Sequence, residues 1–76
     1  MRKGGNEMAG KMTLKAARVN KDLTQEQAAS LLGVTKDVVS NWERRITFPD
    51  VIMLGRIEEV YGVSYNDLIF LPEENA

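Results

Sequence analysis

Asp37, Ser40, Asn41 and Arg44 stand three and four residues apart in segment 35–44, the spacing that gathers side chains on one face of an α-helix. All four have side chains capable of hydrogen bonding, those toward the N-terminal end are short, and Lys36 sits beside them. A rigid rod carrying such a row can exchange hydrogen bonds with base-pair edges in the major groove of DNA. An ordinary solvated helix face is the plainer alternative. Val39 and Trp42 fall on the other side of the same segment and require a core. Trp42, opposite the polar row, reads as a core anchor tying helices together rather than as a platform for stacking bases.

Other chemistries lack the residues they need. The chain has no cysteine and no histidine, which removes disulfides and nearly all zinc, copper and haem sites. Glu58-Glu59 and Glu73-Glu74 are sequence neighbours. On a helix such neighbours diverge, so neither is a catalytic carboxylate pair. Gly4-Gly5 lacks the strand and lysine of a phosphate-binding loop. The expectation is therefore no enzyme, no cofactor and no metal.

The elements that would hold the polar row are marked by their ends. Thr24 with Gln27 three residues on forms a capping box. Gly33 supplies a left-handed stop for that helix, and Thr35 caps the next one within two residues. So short a connection forces a steep angle between two short helices, a helix-turn-helix. Ahead of it, Thr13 caps a first helix with Leu14, Ala17 and Arg18 turned inward, ending near Asn20-Lys21. After it, a loop closed by Pro49 leads to Asp50 at the start of a fourth helix. Val51, Leu54, Ile57, Val60 and Tyr61 form the apolar stripe of that helix, Gly55 suggests close packing within it, and Gly62 ends it. Ser64 and Asp67 then open a short fifth helix bearing Leu68, Ile69 and Phe70, which stops at Leu71-Pro72.

The bounds follow. Residues 1–12 carry glycines, basic charge and no apolar period, and read as a flexible arm, or as a leader ahead of a true start at Met8 or Met12. Residues 13–71 form one domain and 72–76 a tail. At 76 residues, 43% hydrophobic and 28% charged, the chain suits a single small globular unit. It has no apolar run of membrane-spanning length and no signal-peptide core, so a cytoplasmic place is expected. The net charge of −1 weighs against nucleic-acid binding, since phosphate contacts usually leave a basic excess. Any positive patch must come from arrangement.

Taken together, L-x-x-A-R, L-T-Q-E-Q-A-A, L-G-V-T, V-S-N-W-E-R, F-P-D and Y-G-V-S-Y-N-D-L resemble the phage repressor and Cro type of helix-turn-helix regulator, the XRE-like family, over about residues 13–70. The resemblance implies an all-α, compact, five-helix, lambda-repressor-like domain. It implies that Gln25 binds a DNA phosphate, that Lys36, Asp37 and Asn41 meet base edges, and that Arg44 contacts phosphate. It also implies an interior ion pair between Arg18 and Glu43. The residues add their own argument there, because Glu43 falls beside Val39 on the inward side, an odd place for a carboxylate without a partner.

Three positions depart from the pattern. Arg45 stands where the family has glycine. Left-handed backbone costs a non-glycine residue roughly 1–2 kcal/mol, so the helix is expected to run on or the loop to be rerouted. Ile46 and Phe48 replace lysines common in this loop, weakening one phosphate clamp. Asp37 either sits favourably at a helix N-terminus or accepts a hydrogen bond from a cytosine amino group.

The expected function is a sequence-specific DNA-binding transcriptional regulator, a prophage repressor or Cro-like protein. A homodimer would read a palindromic operator in the major groove of double-stranded DNA. Lys36, Asp37, Ser40 and Asn41 would read bases, with the Val38 methyls open to a thymine methyl, while Gln25, Arg44 and Arg45 would grip phosphates. Ile52, Met53 and the Phe70-Leu71 end are candidates for the dimer surface. The competing expectation is an antitoxin or antirepressor-type protein-interaction module, suggested by the missing positive excess and by Ile46, Ile52 and Met53.

Overall fold

A computed structural model describes residues 12–69. It contains four α-helices, α1 (Leu14–Asn20), α2 (Gln25–Leu32), α3 (Lys36–Glu43) and α4 (Val51–Tyr61), followed by a single 3-10 turn at Tyr65–Asp67. Of the expected arm over residues 1–12 only Met12 is described, and it packs against the core; residues 1–11, Phe70, Leu71 and the tail over 72–76 lie outside the described residues.

Each helix begins on a side-chain oxygen that accepts an otherwise orphaned backbone N–H. Thr13 accepts from Ala16 at 3.1 Å, Thr35 from Val38 at 3.3 Å and Asp50 from Met53 at 2.8 Å. Thr24 and Gln27 form the reciprocal box, with Gln27 N–H to Thr24 Oγ1 at 3.0 Å and Thr24 N–H to Gln27 Oε1 at 2.9 Å. Each helix also ends on a left-handed residue: Asp22 (φ 59°), Gly33 (φ 78°), Arg45 (φ 62°) and Gly62 (φ 69°). Four caps and four stops divide the short chain into rods of seven to eleven residues.

Arg45 overturns the expectation that its turn would avoid left-handed backbone. After α3, Arg45 N–H donates to the Trp42 carbonyl at 3.1 Å and Ile46 N–H to the Asn41 carbonyl at 2.9 Å. These two bonds are the Schellman pair that closes a helix around a left-handed residue. They satisfy carbonyls that would otherwise be open, and this offsets the steric cost of an arginine there. The same pair closes α1 around Asp22, with Asp22 N–H to Val19 O at 2.8 Å and Leu23 N–H to Arg18 O at 3.2 Å.

The rods pack around one small core. Leu14 and Ala17 of α1, Ala28, Ala29 and Leu32 of α2, Val39 and Trp42 of α3, Ile57 and Tyr61 of α4, and Leu68 are buried together. The alanines let α2 and α3 approach closely, and the turn at Gly33-Val34 sets the sharp change of direction between them.

Three expectations for the C-terminal half are corrected. Val51, assigned to the inward stripe of α4, is 82% exposed, while Met53 packs against the core in its place. The core face of α4 runs through Met53, Ile57, Val60 and Tyr61, whereas Val51 and Leu54, also of the expected stripe, line a groove on its neighbouring face. Gly55 is exposed, and a Cβ there would meet nothing within 4 Å. The fifth helix is, among the described residues, only the 3-10 turn. Ser64 caps it by accepting from Asn66 N–H at 3.2 Å, but Leu68 is already extended (φ −101°, ψ 146°). Leu68 is drawn into the core and into a one-residue parallel bridge with Met12. Met12 N–H donates to Asp67 O at 2.9 Å and Ile69 N–H to Met12 O at 2.9 Å. This clasp joins the two ends of the described chain, and nothing in the local sequence signals it.

Candidate nucleic-acid interface

Helix α3 is held by its buried side. Val39 has no exposed surface and Trp42 is 7% exposed, so the rod is fixed in rotation as well as position. With that side anchored, Lys36, Asp37 and Arg44 are exposed, and Ser40 and Asn41 are half-buried. No described element covers this edge. Val38 is half-buried and packs against the core, so its methyls are less open than the sequence suggests.

The phosphate candidates are placed differently from one another. Arg44 projects from the end of α3, exposed. Arg45, half-buried, lines a small cleft with Thr13, Trp42 and Phe48. Gln25 opens α2 and is engaged within the protein: its Nε2 donates to Glu43 Oε1 at 3.0 Å.

That bond belongs to a knot of charge behind the interface. Arg18 Nε donates to Glu43 Oε2 at 2.6 Å and Nη2 to Glu43 Oε1 at 3.2 Å, a two-point ion pair whose side chains are 9% and 5% exposed. Arg18 Nη1 donates to the Leu23 carbonyl at 2.7 Å, in the segment just before α2. A buried carboxylate needs this many donors to offset desolvation. The hydrogen bond to Glu43 raises the Arg18 pKa despite burial. The Tyr61 hydroxyl on α4 is pushed up to about 12, first by burial and then by the Glu43 carboxylate, with Arg18 acting in the opposite sense. One cluster thus joins α1, the start of α2, the end of α3 and α4. The Gln25–Glu43 bond was not foreseen from the sequence, which assigned the two side chains to separate tasks. A second arginine ties the back of the motif, where Arg56 Nη1 donates to the Leu32 carbonyl at the end of α2 at 3.3 Å.

Beyond this edge, Val51, Leu54, Gly55, Glu58 and Tyr65 line a shallow, largely apolar groove. Ile46, Phe48, Val51 and Ile52 are each more than half exposed. Glu58 Oε2 accepts the Tyr65 N–H at 2.6 Å and holds the 3-10 turn to α4. No described helix is long and apolar enough to cross a membrane.

Packing of α2 against α3 across the short turn at Gly33, with one polar edge of α3 left open, defines a helix-turn-helix domain. A model of the helix-turn-helix family matches residues 14–68, which span all four helices. The chain belongs to that family, the XRE-type DNA-binding transcriptional regulators. Searches of curated proteins and of solved structures gave no match.

Proposed function

We propose that the protein is a sequence-specific regulator of the prophage repressor or Cro kind, acting as a twofold dimer on a palindromic operator. The open edge of α3 carries the reading. Lys36, Asp37, Ser40 and Asn41 would face base edges, and Asn41 is suited to paired hydrogen bonds with an adenine. Arg44, Arg45 and the amide of Gln25, with the helix start behind it, would take phosphates. One short helix buries too little surface to be specific alone. Two copies with recognition helices about 34–36 Å apart would read one turn of DNA. The exposed apolar residues beginning α4, Val51 and Ile52, support that pairing, with Val51 taking the place the sequence reading gave to Met53.

Selection of binding sites from random DNA by the full chain tests this reading. The expected product is a palindrome with half-sites one turn apart, bound with an affinity that falls steeply as salt rises. On that site, Asn41→Ala should cost about 1–3 kcal/mol at one base position and leave others unchanged. A selected pool without symmetry, or a monomer by light scattering both free and on DNA, would remove the dimer.

The exposed Ile46, Phe48, Val51 and Ile52 also suit an antitoxin or antirepressor-type module that meets a protein partner. Affinity for DNA that stays flat with salt would favour it.

A further inference from the structure

We infer that Glu43, although it faces away from DNA, is a positioning residue for the phosphate grip, acting through Gln25. This deepens the DNA-binding reading above and rests on it.

A glutamine amide offers two N–H donors and one carbonyl oxygen on a freely turning bond. A phosphate can use only the donors. Exposed at a helix start, such an amide would present its oxygen to the phosphate in about half of its orientations. Glu43 removes that ambiguity. An ionised carboxylate only accepts, so the 3.0 Å contact from Gln25 requires the nitrogen side of the amide to face Glu43. The carboxylate cannot turn to suit the amide, because Arg18 holds both of its oxygens, at 2.6 and 3.2 Å. Arg18 is itself fixed to the Leu23 carbonyl at 2.7 Å. One Gln25 N–H is therefore committed inward, and the second is left to project from the start of α2 in one direction. The end of the reading helix and the phosphate donor of its neighbour are thereby held in register by one side chain.

The sign of a single substitution separates this role from simpler ones. Glu43→Gln deletes a negative charge. A carboxylate that matters only through its field repels DNA, so its loss would tighten binding, most at low salt. A positioning carboxylate gives the opposite result. Binding of the full chain to its selected duplex and to an unrelated duplex of equal length is measured, with each affinity corrected for the folded fraction. Glu43→Gln should weaken both by about twofold, because the amide then offers a donor in only about half of its orientations. Gln25→Met should weaken both more, by about fivefold, the value of one hydrogen bond, and adding Glu43→Gln to it should give no further loss. Equal or tighter binding by Glu43→Gln alone, or additive losses in the double variant, would overturn the inference. Loss of Arg18's partner can also unfold the chain, so nitrogen-15 spectra of the unaltered protein provide a second reading. The Gln25 side-chain amide should show one proton shifted and slowed in exchange before DNA is added, and the other moving when it is. Both protons at the ordinary shifts of a free glutamine amide, and both exchanging fast, would overturn it as well. Failure of the unaltered chain to bind either duplex in a salt-dependent way would instead remove the DNA reading itself.

Discussion

Among the described residues, Arg45 and Asp22 are the non-glycine positions with left-handed backbone. Aspartate tolerates left-handed backbone because its short polar side chain bonds locally, and arginine has no such relief. Its φ of 62° nonetheless closes α3, because the Schellman bonds over-determine the turn. Strain kept beside the proposed interface invites a functional reason, and a second cation next to Arg44 at the end of α3 is one. Arg45→Gly is therefore expected to raise stability by about 1 kcal/mol, the steric relief less the added freedom of glycine in the unfolded chain. The same variant should bind DNA more weakly, with the slope of affinity against salt reduced by about one. Urea unfolding and binding titrations across salt would show the two effects moving in opposite directions. Unchanged affinity with the stability gain would leave Arg45 without a part in the grip.

At the scale of elements, short helices depend on their ends, and this protein has little else to spend on them. A helix of seven or eight residues is not stable alone in water. Thr13, Thr24, Thr35 and Asp50 close the starts, and the four left-handed residues close the ends. Helix α4 is the exception in one respect, since it carries Gly55 in its interior with open space around it. Gly55→Ala meets no neighbour and restricts the unfolded chain, so it should stabilise the protein by up to about 1 kcal/mol. Thermal unfolding would register this as a higher midpoint; a lower one would mean that the groove beside Gly55 needs the missing Cβ.

At the scale of the molecule, Tyr61 on α4 lies in the field of the buried Arg18–Glu43 pair that links α1 to α3, so the response to pH reports on that cluster. Tyr61 is 2% exposed, and its hydroxyl is raised to about 12 by burial and by Glu43. A raised folded-state pKa means that the folded protein holds the proton more tightly than the unfolded chain, where tyrosine titrates near about 10. The associated stability is fully present below about pH 10 and is lost as pH rises from there through about 12. Denaturant midpoints should accordingly fall across that window. Tyr61→Phe should flatten this part of the dependence, and an undiminished fall in that variant would assign it to other groups.

Much of the architecture was readable from residue order because the signals are local. Threonine caps act over three residues, and a glycine stop acts on its own backbone, so Thr13, Thr24, Thr35, Gly33 and Gly62 marked helix boundaries directly. The polar row of α3 was readable for the same reason, since three- and four-residue spacing is a property of the rod alone. The fifth helix was misjudged because Ser64 caps a turn whether or not a helix follows, and Leu68 is pulled straight by Met12, 56 positions earlier. Val51 and Met53 exchanged roles because α4 is apolar on two neighbouring faces, and periodicity does not say which of them the other helices cover.

What the sequence by itself determined is where the rods start and stop and which side of α3 is polar. Only the tertiary structure decided that Gln25, Glu43 and Arg18 share one knot, that the ends of the described chain clasp at Met12 and Leu68, and that Arg45 accepts a left-handed turn. The division has one physical cause. Hydrogen bonds within a turn are encoded by neighbours, whereas contacts between rods depend on how all four pack at once, and that packing brings together residues whose spacing along the chain carries no trace of their meeting.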